Sequence, residues 1–327
     1  MENILLLLLG FVLLVIGGDI LIRGGTRLST LLGVSPLLVG LGVAAFGTSA
    51  PEAAVSIKAA TSGYSAISIG NVLGSNIANI GLAIGIALLI FGIKENHAKI
   101  RKEITFGFIA TALLFILALV NYWYAGAWEL SRLGGFVLLT FFTGYLYYLY
   151  RMSKKDKAEL SKTESFKNKK VEYLKSILLT LGGIGGVIAG GEFVVTNAVE
   201  IASNHGVSQT LISVTVVALG TSLPEIVVSI MAVRKNQWDM ALGNILGSNL
   251  FNILFVLGTT AAISPIRFDN FNKLILPDML IAIAITGMLF FFIARKNAKA
   301  VSLKTSKFHG LILLAIYFGY IAYAFLR

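Results

Sequence analysis

Acidic, hydroxyl and proline residues recur together in two short segments, Gly47-Thr48-Ser49-Ala50-Pro51-Glu52 and Gly220-Thr221-Ser222-Leu223-Pro224-Glu225. In a helix, Thr48 lies four residues before Glu52, and Ser49 and Ser56 lie three before and four after it. One face therefore gathers hydroxyls around a carboxylate. Thr221, Ser222, Glu225 and Ser229 repeat the arrangement. Each proline lacks an amide hydrogen and crowds a carbonyl four residues back, so the helix is expected to open at Gly47 and at its counterpart. Carbonyl oxygens released in this way can face a hydrated cavity or ligate a cation. A site made only of carboxylate, hydroxyl, amide and carbonyl oxygens suits hard ions such as sodium and calcium, and does not suit zinc or copper.

A second pair of motifs follows. Gly70-Asn71-Val72-Leu73-Gly74-Ser75-Asn76 recurs as Gly243-Asn244-Ile245-Leu246-Gly247-Ser248-Asn249, and Asn79 and Asn252 follow three residues after each copy. Ser75 and Asn79 share a helical face, with Asn76 beside it. Gly70, Gly74, Gly81 and Gly85, matched by Gly243, Gly247 and Gly258, have the small-residue spacing that lets helix backbones approach closely. All these pairs are 173 positions apart, and residues 33 to 85 align without a gap on 206 to 258 with 24 identities in 53.

The surrounding chain is apolar enough to bury such groups in lipid. Of 327 residues, 56% are hydrophobic and 13% charged, and mean hydropathy is +0.83. This composition excludes a water-soluble domain, a disordered chain and a collagen-like repeat. The absence of cysteine excludes disulfides, thiolate zinc sites and a cysteine nucleophile. Ten apolar stretches approach the length of about 20 residues that crosses a bilayer core. They fall at about 3–22, 35–57, 66–93, 104–121, 133–150, 176–198, 208–233, 239–263, 274–294 and 308–326. The first follows Glu2 instead of a basic leader and has no small-residue cleavage site, so it reads as a span and not a signal peptide.

Alternate loops then separate the basic residues. Segments 23–34, 94–103, 151–175, 234–238 and 295–307 hold 22 of the 27 Lys and Arg, leaving Lys58, Arg132, Arg267, Lys273 and Arg327 opposite. The excess of positive charge predicts that the first set is cytoplasmic and both termini lie outside, in a multi-pass cell (inner) membrane protein. It also accounts for the net charge of +11 without any nucleic-acid partner. The expected organisation is a first five-helix repeat over 1–150, a Lys-rich cytoplasmic hinge loop over 151–175 and a second repeat over 176–327. Five is an odd number, so the second repeat enters the membrane from the opposite side. The fold class is all-α, ten transmembrane helices in two inverted repeats, with helices 2 and 7 broken.

Buried carboxylates at bilayer depth each cost roughly 2.5 to 3.5 kcal/mol on insertion scales. No Lys or Arg lies within either central motif, so a bound cation or a proton is the expected partner of Glu52 and Glu225.

These paired motifs resemble the α-repeats of the cation/calcium exchanger superfamily, in its bacterial and archaeal sodium/calcium antiporter branch. The resemblance implies that Glu52 and Glu225 ligate calcium and share sodium sites. It adds Ser49, Ser75, Ser222, Ser248, Thr48 and Thr221, the backbone carbonyls of Ala45 and Ala218, and the amide of Asn79. It also implies that the first and sixth helices slide across the rest. Several members carry Asp where this chain has Asn252, which leaves two fixed negative charges here, matching one calcium or two sodium ions. The expected activity is exchange of calcium for sodium by alternating access, sufficient in a monomer and needing no cofactor, with calcium/proton exchange at the same two acids as the rival. A channel would need rings of like ligands, usually from an oligomer. An enzyme would need a nucleophile with its base, and no such pair is present.

Outside the motifs, Asp19 and Glu192 also correspond at an offset of 173. Asp19 can pair with Arg23, giving structural support as the first expectation and an ion-access role as the second. Asp278 follows Pro277 where a first-turn acid complements a helix dipole. His97, His205 and His309 fall in or beside loops and form no cluster.

Overall fold

The computed structural model describes residues 2–63, 65–92, 100–160, 169–205, 218–268, 271–273, 275–293 and 303–326. Its elements in chain order are α1 (Glu2–Leu32), α2 (Pro36–Thr48), α3 (Ala50–Thr61), α4 (65–90), α5 (Arg101–Ala125), β1 (Glu129–Leu130), α6 (Arg132–Leu160), α7 (Lys169–Asn204), α8 (Ala218–Thr221), α9 (Leu223–Arg234), α10 (Trp238–Ile263), β2 (Ile266–Arg267), α11 (Ile275–Ile293) and α12 (Leu303–Leu326). Among the described residues eight helices are long and apolar enough to cross a membrane, and the bent pair α2–α3 makes a ninth. The seventh expected span is represented by α8 and α9. Its first part, with Gly206-Val207-Ser208, lies outside the described residues, as does His97.

Burial separates two kinds of helix. In α10 and α4, which carry the Gly-Asn motifs, 94% and 72% of the apolar window is buried, against 22% to 39% in the six other long helices. Those six turn side chains such as Leu5, Phe11, Phe141 and Phe318 outward. Apolar residues outside and amides inside are what a helix bundle in lipid requires.

The chain divides into two compact units, one of Met1–Ser49 with Tyr145–Gly247 and one of Ala50–Gly144 with Ser248–Arg327. Each unit draws on both sequence halves.

In the first unit α1 and α7 run antiparallel at backbone contact. A Cβ on Gly17 would lie 2.7 Å from the Val187 amide nitrogen, and one on Gly183 would collide with the backbone of Leu21. Gly10 meets Gly190 and Val194 in the same way, and Gly24 meets Thr180. α2 lies as close to α10, since a Cβ on Gly40 would come within 2.5 Å of the Met240 carbonyl and one on Gly247 within 2.5 Å of that of Leu41. At one end of this unit the Ser35 amide donates to Asp156 at 2.8 Å and Arg27 pairs with Glu172 at 2.6 Å. There too Lys235 meets Asp19 at 2.5 Å, so three basic segments share that end.

In the second unit α4 packs on α12, with Gly81 against Tyr317 and Gly85 against Leu314. Gly70 of the same helix has no neighbour that a Cβ would meet, so only part of the expected small-residue spacing serves close packing. Gly135 of α6 abuts Ala262 of α10, and the strands β1 and β2 pair antiparallel, Glu129 with Arg267 and Leu130 with Ile266. Trp128 stacks between Tyr122 and Phe271 beside them, at 4.4 and 3.8 Å.

The central hydrophilic segment differs from a plain loop. α6 continues through Leu160 and α7 begins at Lys169, so charged helical turns extend both spans, and 161–168 lies outside the described residues.

Candidate functional site

Both acidic motifs lie at helix breaks. Ser49 (φ −88°, ψ 8°) separates α2 from α3, and Ser222 (φ −86°, ψ −3°) separates α8 from α9. The two serines share the sparsely populated bridge conformation. At the first break the helix axis bends by 45°. The opening falls after Thr48 and Thr221, one residue later than expected at Gly47 and its counterpart. The Ser49 amide still donates to the Ala45 carbonyl at 3.0 Å, which completes the last turn of α2. Pro51 and Pro224 are then second residues of α3 and α9, where a missing amide hydrogen costs no helical bond.

Each break places two useful ends together in the chain. α2 and α8 end at Thr48 and Thr221, and the carbonyl end of a helix is its negative end, which favours cations. α3 and α9 start with Glu52 and Glu225 in the first turn, where the positive helix end favours the ionised carboxylate. Both acids are 0% exposed.

Within the first unit, Ser49 Oγ donates to Glu225 Oε1 at 2.8 Å. Asn244 Nδ2 donates to the Glu225 carbonyl at 3.4 Å and to Ser229 Oγ at 3.1 Å. Thr48 Oγ1 lies 3.3 Å from the Ala45 carbonyl and 3.4 Å from Asn244 Oδ1. Thr48, Ser49, Ser222 and Asn244 are all buried, and Ser222 Oγ has no hydrogen-bond partner among the described residues. Thr221 closes α8, and Ala218 opens it.

Within the second unit the same bracing recurs. Asn71 Nδ2 donates to the Glu52 carbonyl at 3.3 Å and to Ser56 Oγ at 3.0 Å. Asn71 and Asn244 therefore each tie the helix that carries the acid to the next helix, with identical spacing. Both residues stand inside the Gly-Asn motifs, which do not themselves mark this bracing role. Their recurrence at an offset of 173 was the available signal.

Four more amides interlock in this unit. Asn76 Nδ2 donates to the Asn249 carbonyl at 3.1 Å, and Asn249 Nδ2 donates to the Asn76 carbonyl at 3.2 Å. Asn79 Nδ2 donates to Asn249 Oδ1 at 3.0 Å, and Asn252 Nδ2 donates to Asn76 Oδ1 at 3.1 Å. Asn79 and Asn252 each begin a π-helical segment, 79–84 and 252–257. Such widened turns recur at functional sites in helices. Asn79 Oδ1, Asn252 Oδ1 and Ser75 Oγ are buried with no hydrogen-bond partner among the described residues, and Ser248 is buried beside Asn249 in sequence. Among the described residues no three acidic or histidine side chains cluster. The buried polar groups gathered here are hydroxyl and amide oxygens, a donor type suited to hard cations.

A family model for the sodium/calcium exchanger protein matches residues 2–151 and 175–326. The chain belongs to this family. The family's resemblance to the two repeats, expected from the motifs, is thus established, and the fold is an all-α membrane architecture of two inverted repeats with breaks at Ser49 and Ser222. Among relatives, the putative antiporter CaxA of Alkalimonas amylolytica is 36% identical, covering 79% of this chain and 80% of its own length. The sodium/calcium exchanger MaX1 of Methanosarcina acetivorans is 28% identical over 99% of this chain and 98% of its own. A solved structure of the sodium-calcium exchanger NCX_Mj superposes with a TM-score of 0.80 at 30% identity, covering 98% of each chain. This family member is accordingly a membrane transporter of the cation-exchange class.

The remaining acids divide. Asp19 pairs with Arg23 at 2.7 Å, as expected, and also with Lys235. Glu192 is exposed on α7 with no ion pair among the described residues, so its correspondence to Asp19 is one of sequence only. Asp278 sits in the first turn of α11 as expected, and is 1% exposed. Glu103, in the first turn of α5, is equally buried and was not singled out in the sequence. His205 contacts the Ile201 carbonyl and His309 stacks on Phe292.

Proposed function

We propose that the chain is an antiporter exchanging calcium for sodium, with Glu52 and Glu225 as the carboxylates that the two ions occupy in turn. Thr48, Thr221, Ser49, Ser222, Ser75, Ser248, Asn79 and Asn252, with the carbonyls of Ala45 and Ala218, are the neutral oxygen donors. The observation that carries this function is the amide network. It uses the N–H groups of Asn79 and Asn252 and leaves their oxygens buried without a donor, an arrangement suited to a cation. Two carboxylates balance one calcium or two sodium ions, so competition for the same acids couples the fluxes without moving net charge. The names of MaX1 and NCX_Mj as sodium-calcium exchangers support the choice of ions. The basic helix ends face the cytoplasm, both termini lie outside, calcium leaves the cell, and one chain suffices.

Calcium uptake into sodium-loaded proteoliposomes, with pH clamped on both sides, tests the proposal. Uptake that follows the outward sodium gradient is the expected result. Uptake that follows only a proton gradient would assign the same two acids to calcium/proton exchange.

A further inference from the structure

A cavity of about 780 Å³ opens between α1, α7 and the turn after α9, apart from both acidic motifs. Four cations line it, Arg23, Arg27, Lys175 and Lys235, against one acid, Asp19. Asp19 is shared by Arg23 and Lys235, and Arg27 is held by Glu172. Among the described residues the lining therefore carries four cations and one acid, with Glu172 pairing Arg27 from outside it, a positive balance that suits an anion. Lys175 is exposed and enters no ion pair among the described residues. Guanidinium groups present paired donors that match phosphate oxygens in geometry.

The walls indicate where the phosphate comes from. Ile20, Ile22 and Leu179 are apolar members of the same lining. Beside Lys175, α7 exposes Leu174, Leu178 and Leu181 at 60%, 61% and 59%. Their spacing of four and three places them in one stripe along the helix. Cations in the cavity lining, with an exposed apolar stripe on the neighbouring face of α7, fit a headgroup with its acyl chains, and basic pockets between membrane helices are suited to anionic lipids. We propose that this cavity binds the phosphate headgroup of an anionic phospholipid whose acyl chains lie along Leu174, Leu178 and Leu181. One bound lipid would then touch α1, α7 and Lys235 together and hold the glycine-packed helix pair to the α9–α10 turn.

The test uses the full chain in a neutral detergent, with phosphatidylglycerol, phosphatidylcholine and soluble glycerol 3-phosphate as probes. Native mass spectrometry should show phosphatidylglycerol retained over phosphatidylcholine, and Arg23→Gln with Lys175→Gln should lower that retention about ten-fold. Thermal unfolding of the variant without lipid should match the unaltered protein, because Asp19 keeps Lys235. Equal retention of the two lipids, or undiminished retention by a folded variant, overturns the proposal. Displacement of phosphatidylglycerol by equimolar glycerol 3-phosphate would show that the headgroup alone is read, and overturns the lipid assignment. Photo-crosslinking of a phosphatidylglycerol analogue to the unaltered chain should label residues 174 to 181. Labelling confined to other helices overturns the proposal whatever the variant does.

Discussion

The side-chain amides of Asn76 and Asn249 each donate to the other's backbone carbonyl, at 3.1 and 3.2 Å. A backbone carbonyl only accepts, so both contacts must be made by Nδ2, and both Oδ1 atoms turn the other way. Those oxygens in turn require Nδ2 from Asn79 and Asn252. The orientation of the outer pair of amides is thereby fixed by the inner pair, with their oxygens buried and without a hydrogen-bond donor among the described residues.

Asn76→Ala should therefore act at a distance. It removes a donor from the Asn249 carbonyl and an acceptor from Asn252, at a cost of about 1 to 3 kcal/mol for buried groups left unsatisfied. Thermal unfolding should shift downward, and the stabilisation produced by added calcium should shrink as well. A variant that loses stability but keeps the full calcium response would show that the network serves packing alone.

Ser49 supplies a hydrogen bond to a buried carboxylate oxygen of Glu225 at 2.8 Å. Bonds to charged groups contribute about 1.5 to 3 kcal/mol. Ser49→Ala is expected to weaken half-saturation by calcium roughly ten-fold or more, measured as initial flux against calcium concentration. Unchanged half-saturation would separate this hydroxyl from ion binding.

Asn252→Asp adds a third acid and removes the N–H that Asn76 Oδ1 accepts. The unaltered protein, with two acids, should transport at a rate independent of voltage. The variant should gain voltage dependence, since one charge moved across the membrane corresponds to about 2.3 kcal/mol per 100 mV. Flux under potassium-diffusion potentials of both signs measures this directly. Voltage-dependent exchange by the unaltered chain would contradict the two-carboxylate charge balance.

The α1–α7 seam predicts a contrast between two glycines. Gly17→Ala puts a Cβ 2.7 Å from backbone of α7 and should cost about 1 to 3 kcal/mol by overpacking. Gly185→Ala, on α7 but with nothing within 4 Å, should leave thermal stability unchanged or slightly raised. Equal effects would mean that the seam is not closely packed.

Much of this was legible in the sequence, for reasons that particular residues make clear. The offset of 173 located both acids, the serines three residues before them and all four interlocking asparagines, because duplication copies positions whatever their partners. Position within the break was less legible. Proline suggested an opening at Gly47, yet the chain opens after Thr48, because a proline just inside a new helix loses no bond. The π-helical turns at Asn79 and Asn252 leave no compositional trace, since they depend on what the amides find in tertiary structure. Lys235 as the second partner of Asp19 was equally hidden, 216 residues away. The glycines of α1 and α7 do repeat, Gly10 with Gly183 and Gly17 with Gly190, but before the aligned region begins at Gly33.

The most direct test of the central claim is sodium-driven calcium flux in proteoliposomes bearing Glu52→Gln or Glu225→Gln. The amide side chain keeps the volume and oxygen of the acid but removes its charge, so each variant should fold as the unaltered chain does, by thermal unfolding, and lose calcium exchange. Retained exchange in either folded variant would contradict the assignment of the two acids as the shared ion ligands.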